Sequence, residues 1–270
     1  KMATINPARH FALKHTGAVA PGYHADFIVI DSLKSFKVTS VYKRGVEVAR
    51  KGKILNVKFP PTVPVRSSIN VRWLTPEQFR LPAKTGKVNA IEIVPGQLIT
   101  KSRISKVRIE NSFAVSDIKK DLLKLVVVER HRASGNIAQG FVKGFGLKKG
   151  AITSSVSHDS HNIVCVGCDD KSIFNAVLSI IKAGGGLCCT SGNRYEMLPL
   201  PVAGLMSDRD LSFVYRRVKK LLAVSSAMGC RLDDPFMTLS FLALPVIPEL
   251  KITDMGLVNV IKNKFEELFV

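Results

Sequence analysis

An α+β fold in two parts is predicted for this chain of 270 residues. Three observations predict it. Short apolar runs of β character recur along the chain, bounded by Gly, Pro, Asn or Asp turn signals. Two longer segments instead place apolar residues at helical spacing between an Asp and a Gly, the start and stop chemistry of helices. Between Val57 and Pro82 lie Pro60, Pro61, Pro64, Pro76 and Pro82 with little periodicity, which reads as a connector laid over a surface. The parts are therefore drawn at residues 1–57, a connector over 58–87, and a larger domain over 88–270.

Residues 2–13 read as a short helix, with Met2, Ile5 and Phe11-Ala12-Leu13 spaced for one apolar face. Gly17 to Gly22 then turns the chain into the β run Ala25 to Asp31. Lys37 to Tyr42 alternates, Arg44-Gly45 turns, and Val46 to Ala49 returns, which is a hairpin pattern. Beyond the connector, Val88 to Thr100 and Lys106 to Glu110 read as strands, with Pro95-Gly96 as a bend. Leu122 to Glu129 reads as a buried strand, Phe141 to Gly150 as a glycine-rich turn region, and Ile163 to Gly167 as another strand.

A helix follows, capped by Asp169 or Asp170, striped by Ile173, Val177, Ile180 and Ile181, and stopped at Gly184. Leu187 to Thr190 and Tyr195 to Leu198 are read as strands around Ser191-Gly192-Asn193. The second helix runs from about Asp210 to Met228, with Leu211, Val214, Val218, Leu221 and Leu222 on one face and Gly229 ending it.

Composition narrows the class. Apolar residues make up 46 % of the chain and the mean hydropathy is +0.15, as in a folded globular protein. The longest apolar runs, such as Leu239 to Ile247, fall short of the roughly 20 residues that span a bilayer. With Lys1 first and no secretory pattern, the sequence is expected to begin inside a longer gene product. Five cysteines at irregular spacing argue against a disulfide framework and for a cytoplasmic location. Cys165 and Cys168 form one C-x-x-C without the second pair a zinc site needs, so buried thiols are the favoured reading.

The formal charge is +19. Residues 1–110 carry 20 Lys/Arg against 6 Asp/Glu, and residues 111–270 carry 20 against 15. Nucleic acid is the obvious partner for such a balance, but the basic residues are scattered through strand-like sequence and do not alternate with stacking aromatics. A non-catalytic basic module that binds nucleic acid is kept as the second, disfavoured reading; a solvated face, or one meeting an acidic domain, is the first.

Two polar clusters stand at the ends of apolar β runs, where a polar group needs a partner or a cavity. One is Glu129, Arg130 and His131, read either as an internal ion pair or as ligand-contacting residues. The other is Ser154 to Asn162, containing His158, Asp159, His161 and Asn162. One helical turn would bring His158 and His161 to the same side, whereas a straight strand would separate them. A hydrogen-bonded polar turn, substrate or proton handling, and a metal site all remain open for this cluster. No dinucleotide fingerprint, phosphate loop, Gly-x-Ser-x-Gly elbow or His-Glu-x-x-His occurs.

Thr4 to Ala8, Gly17 to Gly22 and Ala25 to Val29 resemble the segment that closes the barrel and returns to the small β-sandwich in amidohydrolases. Val127 to His131, Gly140 to Leu147, Ser154 to Asn162, Leu198 to Ser207 and Asp234 to Pro248 resemble the adenine deaminase C-terminal domain. The resemblance implies a partial amidohydrolase β-sandwich followed by a mixed α+β domain of that family. It implies hydrolysis of adenine to hypoxanthine and ammonia at a dinuclear manganese or iron centre. Those metals would be held by a barrel, a covalent or separate partner of this chain, in a homo-oligomeric enzyme. No metal ligand is assigned to this chain, and alone it is expected to be inactive. On this resemblance His158, Asp159 and His161 are the candidates for catalysis, Asn162 belongs to the purine pocket, and Glu129, Arg130 and His131 brace it.

Overall fold

The computed structural model describes residues 1–55, 68–192 and 194–270, and the chain divides into two units, Lys1–Thr62 and Val63–Val270. In the first, helix α1 (Ile5–His10) precedes four antiparallel strands in the order β1 (Phe27–Ile30), β2 (Val38–Lys43), β3 (Val46–Arg50) and β4 (Lys53–Ile54). The helix is shorter than the expected 2–13. Of its residues only Ala8 is buried, and Phe11 and Leu13 stay exposed, so packing within the unit does not extend it. The Arg44-Gly45 turn forms as read, both residues taking positive φ. Asp26 fixes it by accepting from the Arg44 amide at 2.6 Å.

The second unit runs β5 (Lys87–Ile93), β6 (Thr100–Lys106), β7 (Arg108–Glu110), β8 (Phe113–Val115), β9 (Leu122–Val128), β10 (Ile137–Lys143), β11 (Ala151–Ser154) and β12 (Ile163–Gly167). Then come α2 (Asp170–Ala183), β13 (Gly186–Ser191), β14 (Arg194–Pro199), α3 (Leu211–Ala227), α4 (Pro235–Leu242), β15 (Leu250–Thr253), β16 (Gly256–Asn259) and β17 (Lys264–Glu266). Eight strands form one sheet in the order β14-β13-β11-β12-β9-β10-β5-β6. Every pairing in it is antiparallel except β10 with β5. Strands β15-β16-β17 make a small second sheet, and β7 pairs with β8.

Alternation along the central strands builds a core on each face. From β9, Val126 and Val128 join Cys165 of β12 and Ile173, Val177 and Ile180 of α2. Leu123, Leu125 and Val127 of the same strand meet Leu221 of α3, Phe236 and Leu239 of α4, and Leu250 and Ile252 of β15. The unit is thus three layers deep, α2 on one side and α3, α4 and the small sheet on the other. Each such side chain contributes about 1.5–3 kcal/mol by burial.

Both helices carry the predicted ends. Asp169 accepts from the Ser172 amide at 2.7 Å and Gly184 closes α2 at φ 73°; Asp210 accepts from the Phe213 amide at 2.8 Å and starts α3. Lys124 of β9 points toward α2, where burial lowers its pKa even though its Nζ donates to Asp170 and to the Phe79 carbonyl at 3.0 Å.

Three readings along the chain are corrected. Thr100–Lys106 is an edge strand folded back on β5, with Pro95-Gly96 inside the connecting turn; its exposed, lysine-rich pattern hides the β signal. Phe141 to Lys143 belongs to a strand, because alternate residues pack on both faces, and only the residues after it turn. Of the connector, residues 56–67 lie outside the described residues. Phe79, in a short 3-10 turn, is wholly buried against Phe174 of α2.

Cys165 and Cys168 face opposite cores, which separates them as metal ligands. Burial raises the Cys165 thiol well above its ordinary pKa and pushes Cys168 up to about 12. All five cysteines are free. No helix among the described residues is long and apolar enough to cross a membrane.

Candidate functional site

Antiparallel pairing of β9 with β12 puts Val128 opposite Ile163. The chain leaves β9 at Glu129 and enters β12 from Asn162, so the two polar clusters meet at one end of the sheet. Between β11 and β12, residues 155–162 form a tight loop. The His161 amide donates to the Ser157 carbonyl at 2.6 Å, a turn that places the His158 and His161 rings 6.2 Å apart on one side. The His158 ring also lies 5.0 Å from that of Phe241 on α4, and its amide donates to Ser240 Oγ at 3.2 Å.

Serines fix the root of this loop. Ser155 Oγ donates to the Gly204 carbonyl at 2.6 Å and accepts from the Gly186 amide at 2.8 Å, and Ser154 Oγ accepts from Val156 N at 2.9 Å. The polar-turn reading therefore holds for Ser154 and Ser155, while Ser157 Oγ is buried without a partner among the described residues. Asp159 is exposed and has no hydrogen bond among the described residues, but its charge acts on His161 and favours the cation.

The ion pair between Glu129 and its basic neighbours, one of the two readings of this cluster, is absent among the described residues, where Glu129 and Arg130 bond mainly to the backbone. Glu129 accepts from the amides of His131, Arg132 (2.9 Å) and Ser134 (3.1 Å) and from Ser134 Oγ (3.0 Å). Burial is the largest single influence on its pKa and acts upward, yet these donors together hold it below the ordinary carboxylate value. Arg130 is 1 % exposed and spends its guanidinium on carbonyls: Ser68 at 2.7 Å, Ala203 at 3.2 Å and His161. Burial lowers its pKa, with the Glu129 charge opposing. A Cβ on Gly204 would stand 2.7 Å from the guanidinium, so glycine is required there.

His131 Nε2 sits 2.6 Å from the Ser160 carbonyl, which fixes that nitrogen as the donor. Asn162 accepts from the Arg130 amide at 3.4 Å and donates to Asp254 Oδ1 at 3.1 Å; the other oxygen of Asp254 accepts from Asn136 at 3.1 Å. His161 differs from the rest. Burial, then the charges of Arg130 and His158, depress its pKa, so the imidazole is neutral at pH 7. Its Nδ1 is buried with no hydrogen-bond partner among the described residues, and its backbone is left-handed at φ 52°. Chemically the arrangement offers a neutral imidazole on a braced loop, able to take or give one proton or hydrogen bond.

The structure thus joins Glu129, Arg130, His131, His158, His161 and Asn162, with Asp159 exposed beside them and acting on His161 by its charge alone. Sequence reasoning missed Asp254, Asn136, Ser240 and Phe241. Thr253-Asp254-Met255-Gly256 carries a turn signal that could have located a hairpin, but nothing local points to Asn162, 92 residues away. Among the described residues no three His, Cys, Asp or Glu side chains converge as metal ligands.

Residues 97–264 match the family described as adenine deaminase C-terminal domain, and residues 1–54 match the amidohydrolase family. The chain is 51 % identical over 261 residues to an adenine deaminase of Methanothrix thermoacetophila, covering 96 % of this chain and 46 % of that protein. It is 46 % identical to one of Desulfatibacillum aliphaticivorans (100 % and 48 % covered) and 43 % identical to one of Methanothermobacter thermautotrophicus (99 % and 50 %). The chain spans about half the length of the curated relatives it matches.

Proposed function

Because the chain belongs to the adenine deaminase family, we propose that it forms the C-terminal part of an enzyme that hydrolyses adenine to hypoxanthine and ammonia. The observation that carries this is the similarity over nearly the whole chain to proteins of that name. In this reading residues 1–57 complete the amidohydrolase part, 58–87 connect, and 88–270 form the accessory domain; the assembled enzyme is a cytoplasmic homo-oligomer acting in purine salvage.

The family's metals, manganese or iron, do not fit this chain. His158 and His161 are near each other, but no third ligand joins them among the described residues. The barrel portion would hold the metals and supply the attacking hydroxide.

What this chain offers is a positioned imidazole. His161, neutral and with no partner for Nδ1 among the described residues, is the group we assign to the purine ring, with His158 beside it. Asn162, Arg130, Glu129 and His131 hold the loop that presents them. Support for these roles is the contrast within the cluster: each bracing side chain has hydrogen-bond partners, and His161 Nδ1 has none among the described residues.

The test is adenine deamination with manganese, by this chain alone and after mixing with a separately expressed barrel portion. Activity only in the mixture is expected. In the mixed enzyme, His161→Asn should lower kcat at unchanged metal content; no turnover in any mixture would sink the assignment of activity, and unchanged kcat the assignment of His161.

A further inference from the structure

Lys251 of β15 is an unusual core residue. It is fully buried, and the one hydrogen bond of its Nζ among the described residues goes to the Leu98 carbonyl at 2.9 Å. An ammonium has three donors, so two have no protein acceptor. It forms no ion pair among the described residues, unlike the buried Lys124, which has Asp170. Burial lowers its pKa to about 8.

Lys251 is among the residues lining a cavity of about 230 Å³ between the β5–β6 turn and α4. The walls are largely apolar, with Ile93, Leu98, Met237, Phe241 and Leu242 among the lining residues. Asp233 and Asp234 stand at the exposed rim, where water screens them, and Asp234 is already occupied in capping α4 through the Met237 amide at 2.9 Å. An apolar pocket whose lining includes a buried cation with spare donors has the form of a binding site for a small organic anion.

We propose that the cavity between the β5–β6 turn and α4 binds a small monocarboxylate, its apolar part against Phe241 and Met237 and its carboxylate on Lys251 Nζ. The volume limits the ligand to a few carbons or a single ring. Phe241 touches the His158 ring on one side and lines the cavity on the other, so occupancy also bears on the polar loop. The site does not depend on the deaminase reading.

The test uses the full chain and the probes butyrate and benzoate, with butanol and benzamide as neutral controls, followed by calorimetry and by the 15N resonance of Lys251 Nζ. Binding of the carboxylates but not the controls is expected, with a shift of that resonance and weakening above about pH 8 as the ammonium deprotonates. Lys251→Met should weaken binding at least tenfold. Met237→Trp, which fills the cavity from its exposed edge and leaves the lysine in place, should do the same if Lys251→Met fails to fold. No carboxylate binding, equal binding of the neutral controls, or undiminished binding in either folded variant would overturn the proposal.

Discussion

Asp254, in the turn between β15 and β16, holds Asn162: one carboxylate oxygen accepts from Asn162 Nδ2 at 3.1 Å and the other from Asn136 Nδ2 at 3.1 Å. The small β15–β16 hairpin thereby sets the entrance to β12, and with it the end of the histidine loop. Replacing Asp254 with Ala removes two charge-assisted bonds. Stability from urea unfolding should fall by about 2 kcal/mol with the m-value unchanged; a loss under half of that would show that the two Asn amides find water instead.

Arg130 ties residues 68, 161 and 203 together through their carbonyls. Arg130→Met should cost about 3–5 kcal/mol, since it strands buried acceptors. Arg130→Lys should restore little of this, because an ammonium cannot span the planar fork. Gly204→Ala should be destabilising in the same assay by about 2 kcal/mol or more, from the contact with the guanidinium and from φ 71°.

Acid should loosen the 129–134 turn. The folded pKa of Glu129 lies below its unfolded value, so its contribution is present above about pH 4.3 and is lost as pH falls through the lower folded pKa. Glu129→Gln should flatten that part of the stability profile while leaving the neutral region lower. An unchanged acid limb in the variant would mean that other carboxylates account for it.

His161 should titrate below the ordinary value of about 6.5 in NMR spectra of the imidazole protons, since burial and Arg130 disfavour its cation. Arg130→Met, if folded, should move it upward. The sign for stability follows: folding is favoured by the neutral ring above about pH 6.5 and weakens as the pH drops below it.

The opposite end of the pH scale reports on Lys251. Its folded pKa, about 8, lies beneath the unfolded value of about 10.4, so between them the unfolded chain binds more protons and stability rises with pH. Lys251→Met should abolish that rise and be roughly 2–3 kcal/mol more stable at pH 7 without ligand. A flat wild-type profile between pH 8 and 10 would contradict the burial of a charged amine.

Local chemistry made much of this fold legible. The α2 ends, the Arg44-Gly45 hairpin and the β9 and β12 strands were readable because each is specified within about ten residues, by a cap, a positive φ or a continuous apolar run. Strand β6 was not, since an edge strand facing water uses polar residues and resembles a loop. The polar clusters were legible as clusters for a physical reason: charged groups following Val126-Val127-Val128 must find partners. Which partners they chose depended on chain segments 30 to 90 residues away, as with Arg130 and Ala203 or Asn162 and Asp254, and no local pattern encodes that.

The β5–β6 hairpin joins the rest of the sheet through its single parallel seam, β5 against β10. Its other attachments run to the chain beyond α4: the Thr100 amide to the Pro248 carbonyl at 3.0 Å, and the Val270 amide to the Lys87 carbonyl at 3.1 Å. Detaching this piece breaks no antiparallel ladder between β14 and β10, at the cost of exposing Val88, Ala90 and Ile91, which are wholly buried. The amide hydrogens shared between β5 and β10 should therefore exchange with deuterium ahead of those between β9 and β12. The same opening uncovers Lys251, so a ligand resting on that amine would slow that exchange.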